Sequence, residues 1–130
     1  MRHILLLATA LALPATLALS APPAAAQSPD LEAACVNVAK SFLLSPVLNT
    51  GIVQSFPELT PPGARLTYTT RQNPEPTDFN DEVECTFKNN TAPLELVQFC
   101  MSDTCYSQAA EEPEQRRRFE EIKVLMMRRK

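Results

Sequence analysis

The sequence predicts an α+β domain stapled by disulfides: an N-terminal helix, an antiparallel sheet of three strands, and a C-terminal amphipathic helix. Ile52–Phe56 is a candidate fourth strand. Three observations carry this expectation. Apolar residues recur at helical spacing near both ends of the domain. Between them lie runs of alternating apolar and polar residues, rich in β-branched and aromatic side chains. The cysteines number four, and Cys35 and Cys85 fall on the apolar faces of the predicted elements.

The N-terminus is read separately from the fold. Arg2 is followed by the apolar run Ile4–Leu19, and small residues Ala24-Ala25-Ala26 precede Gln27. A basic start, an apolar core and a small-residue cleavage site are the layout of a secretory signal peptide. The run is short for a membrane span, which needs about 20 apolar residues, and it contains the helix breaker Pro14. The expected division is therefore 1–26 as signal peptide and 27–130 as one small domain, with a periplasmic or secreted destination. Asp30 and Glu32 separate Cys35 from the apolar run, so that cysteine does not resemble a lipid-attachment site.

Ser28-Pro29-Asp30 is a helix start. Serine caps, proline is tolerated in the first turn, and Asp30 and Glu32 complement the dipole. Leu31, Cys35, Val38 and Phe42 make one stripe, and Pro46 ends the run, predicting a helix over 29–44. Residues 47–63 carry breakers and read as connector. In 64–71, Leu66, Tyr68 and Thr70 alternate with Arg65, Thr67, Thr69 and Arg71, as in a strand. Residues 72–81 form a loop. Val83, Cys85 and Phe87 point inward from a strand over 82–88, and Asn89-Asn90 with Pro93 make a turn. The strand over 94–101 is apolar on both faces apart from Glu95 and Gln98, which predicts the central position in the sheet. The last helix is predicted over 113–129, with stripe Phe119, Ile122, Leu125 and Met126 and helix-supporting pairs Glu114–Arg118 and Glu120–Lys123. Val124 and Met127 fall off that stripe.

In an exported chain an even cysteine count predicts bridges. The faces of the elements favour Cys35–Cys85, tying helix to sheet, and Cys100–Cys105, closing a short loop. The chain-entropy model makes the first worth roughly 4 kcal/mol and the second about 2 kcal/mol. The spacing lacks the paired short intervals of zinc ribbons. Cys100 and Cys105 are also further apart than the two-residue gap of redox dithiols.

His3 is the single histidine and lies inside the predicted signal peptide. The domain therefore has no histidine for a catalytic triad or a metal site. Gly51 and Gly63 are the only glycines, too few for a phosphate loop. Carboxylate chemistry is what remains, through Asp78, Asp81, Glu82 or Glu84. Asp78, Asn80 and Glu82 have the spacing that opens a calcium loop, but Val83 stands at the central glycine position and Asn89 at the distal glutamate. Asn89-Asn90-Thr91 matches a glycosylation sequon, a short pattern that the turn already explains.

Residues 27–110 hold ten acids against four bases, and 111–130 hold five against seven. A basic face across the domain, the footprint of nucleic-acid binding, is missing. The candidate interaction surface is the last helix, through Arg116, Arg117, Arg118, Phe119, Arg128 and Arg129. Its partner is expected to be a macromolecule of unknown identity, with weak membrane-surface contact as the alternative. No cofactor or metal is predicted. The leading expectation is a non-enzymatic binding protein; a carboxylate enzyme is the rival from another class.

Overall fold

A computed structural model of the chain describes residues 26–129; the predicted signal peptide lies outside them, apart from Ala26. Helix α1 (Pro29–Leu43) is followed by β1 (Asn49–Phe56), β2 (Gly63–Thr69), β3 (Asp81–Phe87), β4 (Leu96–Met101), β5 (Thr104–Ser107) and helix α2 (Pro113–Arg128). The strands form one antiparallel sheet in the order β1-β2-β3-β4-β5, so each pairs with the strand next to it in sequence. Both helices lie on one sheet face: α1 over β1, β2 and β3, and α2 over β4 and β5, with the helices also touching each other.

The α+β class is as expected, and the sheet has five strands: the three expected, the candidate Ile52–Phe56 as part of β1, and β5 in addition. β1 lies at one edge and is mostly exposed, with a register break between Thr50 and Val53. Its residues therefore lack the clean alternation that marks a half-buried strand. β5 is four residues long and is joined to β4 by a tight turn at Ser102–Asp103. The central strand is β3, not the 94–101 run. β4 is fourth, and Val97 is exposed beside a register break opposite Thr86 and Phe87, so one side of its apolar run faces solvent.

The helix start is as the sequence implies. Ser28 Oγ accepts the Leu31 N–H at 3.3 Å, and Pro29 opens the first turn. Leu44, expected as the last helical residue, is the C-cap instead, in the left-handed region at φ 52°. Leu31, Cys35, Val38 and Ala39 are buried from α1, and Ala64, Leu66, Tyr68, Val83, Cys85, Phe87, Leu96 and Phe99 from the sheet. Strand periodicity places Val83, Cys85 and Phe87 on the inner face, as expected. An aromatic cluster joins the helical layer to the sheet: Phe99 stacks on Tyr106 at 4.9 Å between ring centroids, and Phe42 meets both rings. Aromatic rings are large apolar surfaces, and this cluster locks α1 to β4 and β5.

Cys35–Cys85 ties α1 to β3 through the core, and Cys100–Cys105 joins directly opposed residues of β4 and β5. Among the described residues no cysteine is free. At the β3–β4 connection the Lys88 N–H donates to the Glu95 carbonyl, and Asn89 adds side-chain hydrogen bonds. Its Nδ2 donates to the carbonyls of Thr91 and Pro93, and its Oδ1 accepts the Glu95 N–H. This is the local use of asparagine that the turn pattern implies.

Candidate functional site

The α1–α2 seam is the candidate site. α2 starts at Pro113 and has Phe119 and Ile122 fully buried, with Leu125 and Met126 half-buried. Phe119 stacks against Phe99 at 6.4 Å and lies beneath the Lys123 ammonium. It is 1% exposed, so it is no part of an interaction surface. Helical periodicity turns residue 119 onto the sheet together with 122, which takes it away from the arginines next to it in sequence.

The three consecutive arginines serve three different contacts. Arg116 folds back and donates to the Ala110 and Glu111 carbonyls at 2.6 and 2.7 Å, holding the β5–α2 linker against the helix. Arg117 pairs with Glu114 and Glu121. Arg118 pairs with Glu121 at 3.0 Å, donates to the Phe42 carbonyl at 3.2 Å, and lies 4.5 Å above the Phe42 ring. It therefore fixes α2 to α1 by charge, hydrogen bond and ring contact together. The Glu114 carboxyl is held below its ordinary value, first by the hydrogen bond from Arg117. The pairs expected from spacing are not the ones formed. Glu114 meets Arg117 in place of Arg118, and Lys123 reaches Glu95 at 3.8 Å in place of Glu120. Side-chain direction on a helix, and a neighbouring strand, decide between equally spaced candidates.

Arg128 and Arg129, with Lys40 of α1, are exposed and form no ion pair among the described residues. The basic character of the tail is therefore concentrated at the C-terminal end of α2, where cations also complement the helix dipole.

Between the helices runs an apolar groove of about 670 Å³. Ser41 and Leu44 line it from α1, and Ile122, Val124 and Leu125 from α2, with Arg117, Arg118, Glu120 and Glu121 at the rim. A smaller depression continues past Leu44 to Lys40, Pro46, Leu48 and Arg129. Leu44 is 76% exposed, Val124 40% and Met127 62%. The Ser41 hydroxyl is buried and has no hydrogen-bond partner, which costs free energy wherever water is excluded. A surface of this kind can take apolar side chains between charged walls of both signs. Val124 and Met127 were recognisable in the sequence as residues off the stripe. Ser41 and Leu44 were not, because both look like ordinary members of α1 until the second helix is in place.

The carboxylates do not converge. Asp78 pairs with Arg71 at 3.2 Å and accepts the Glu75 N–H, and Asn80 donates to the Thr77 carbonyl. Asp81 stands opposite Tyr68 at the end of the β2–β3 ladder. Glu82 and Glu84 are exposed on the helix-free sheet face, opposite Thr67 and Arg65. Neither depression at the seam is lined by any of these four carboxylates. A general acid–base pair needs two carboxyls sharing a cleft with the reacting bond, and neither depression at the seam brings two of these together. Among the described residues, no group of three or more histidine, cysteine, aspartate or glutamate side chains could hold a metal ion. No helix among them is long and apolar enough to cross a membrane.

Comparison with known protein families finds no matching family model, and comparisons with curated proteins and with solved structures find no match. The site is therefore interpreted from its own geometry.

Proposed function

We propose that the protein is an exported, non-enzymatic binding module of the envelope or secreted fraction, and that the α1–α2 seam is its recognition face. The observation that carries this reading is the apolar groove, open to solvent and mounted on helices that cannot shift freely. Cys35–Cys85 anchors α1 to the sheet, and Arg118 anchors α2 to α1. Rigid presentation lowers the ordering cost of binding. Exposed leucine, valine and methionine beside charged residues are the material of an interface centre with a polar rim. The two disulfides fit an oxidising compartment; the signal-like N-terminus supports export through a membrane.

A photoreactive residue placed at Val124 tests the face. In envelope extract it is expected to give a discrete adduct, identifiable by mass spectrometry, while the same probe at Glu84 on the helix-free sheet face gives none. Equal, diffuse labelling from both positions would remove the proposal. Sequencing of the purified protein's N-terminus, expected at Gln27, tests export separately.

A further inference from the structure

We infer that the first partner of this face is a second copy of the same chain, docked antiparallel along α2. This rests on the binding reading above and gives it an occupant. Glu120, Val124 and Arg128 are all exposed and follow one line along the helix at spacings of four, with exposed Met127 flanking Val124. Around them the charges are already satisfied: Glu114, Arg117, Arg118 and Glu121 form a closed network. Glu120, Arg128 and Arg129 form no ion pair among the described residues, and of these Glu120 and Arg128 share the Val124 side of the helix.

These two unpaired charges lie four residues before and four residues after Val124. A two-fold axis over Val124 brings Glu120 of each copy opposite Arg128 of the other and sets valine against valine. Such an isologous contact uses the same patch on both copies. A parallel arrangement would oppose glutamate to glutamate and arginine to arginine, so charge selects the antiparallel one. The groove beside Val124 offers space for an apolar side chain from the other copy.

Leu44 adds a second, independent observation. It caps α1 at φ 52° and is 76% exposed. That backbone region suits glycine or asparagine, and a large apolar residue there is strained, with its side chain mostly uncovered by its own chain. Covered by a second copy, the same side chain would be buried beside Val124. The ridge from Glu120 to Arg128 is short, about 12 Å at 1.5 Å per residue, so the dimer is a weak one.

Sedimentation velocity on the exported, disulfide-bonded protein tests the pairing, from about 1 to about 200 µM at low salt, where exposed charges are least screened. A concentration-dependent dimer is expected. Glu120→Arg and Arg128→Glu each raise Kd about tenfold or more, and the double variant returns to near the native value because the pair is restored with its signs exchanged. Leu44→Asn weakens the dimer while raising the Tm of the monomer by about 4 °C. A monomer throughout the range overturns the proposal, as does a double variant no better than the singles. The binding reading fails by a different result: a monomeric protein whose Val124 probe still captures a discrete other protein loses only the self-pairing, whereas one that captures nothing loses both.

Discussion

At the residue scale, Tyr68 shows how burial and a neighbouring charge act on one group. Its ring is buried beneath α1's end of the sheet, and Asp81 is its direct cross-strand partner. Burial first, and the Asp81 charge second, raise the phenol above its ordinary value. The folded state thus holds the Tyr68 proton more tightly than the unfolded chain. Stability linked to it is intact below the unfolded value, about pH 10, and is lost as the pH rises through the folded one. Urea unfolding midpoints for the native protein are expected to fall above about pH 10, and Tyr68→Phe to flatten that decline; an unchanged slope would show that other groups cause it. Single residues also mark the limit of reading a sequence. Phe119 looked like part of a basic surface because three arginines precede it. Its burial follows from helical phase relative to the sheet, which neighbours in sequence do not reveal.

At the element scale, the strands with a buried face were legible, exposed β1 was legible only as the candidate Ile52–Phe56, and β5 was not legible. β2 and β3 alternate through their middles because one face meets α1, and that alternation is written into Leu66, Tyr68, Val83, Cys85 and Phe87; it fails at the end of β2, where Thr69 is buried and Thr70 is exposed. β1 borrows its position from β2 and buries few side chains of its own. β5 is held by its hairpin to β4 and by Cys100–Cys105, with four residues too few to show a period. Both helices were legible from their stripes, yet the groove between them depends on how the two stripes meet, which no single stretch encodes. A strand can also be tested at one point of close approach. A Cβ added at Gly63 would come within 2.7 Å of the Cys85 carbonyl oxygen, a backbone atom that cannot swing away. Gly63→Ala is expected to destabilise by about 1–3 kcal/mol through separation of β2 from β3, read as a lowered urea midpoint. No change would mean that the two strands can part there without loss.

At the scale of the whole molecule, the Cys35–Cys85 bridge is the largest single tie. It links the first helix to the middle strand, closing a separation of 50 residues. Replacing both cysteines with alanine is expected to cost about 4 kcal/mol in the chain-entropy model, much of the stability of a domain this size. Thermal unfolding measures it, and a loss below about 1 kcal/mol would place the domain's stability in its packing instead. Which cysteines would pair was legible because two of them sat on faces that had to meet. The arrangement of the sheet was less so, since the order of five strands depends on edges that carry little apolar signal. The molecule that results has one wet face of sheet, with Glu82 and Glu84, and one face built wholly from helices.

The bridges join each cysteine to the next one along the chain: first to second, third to fourth. A polypeptide threaded through a pore amino end first offers its thiols in that same sequence. Under the export proposed above, an oxidant that couples them two at a time as they emerge would reach the native pattern directly, without reshuffling.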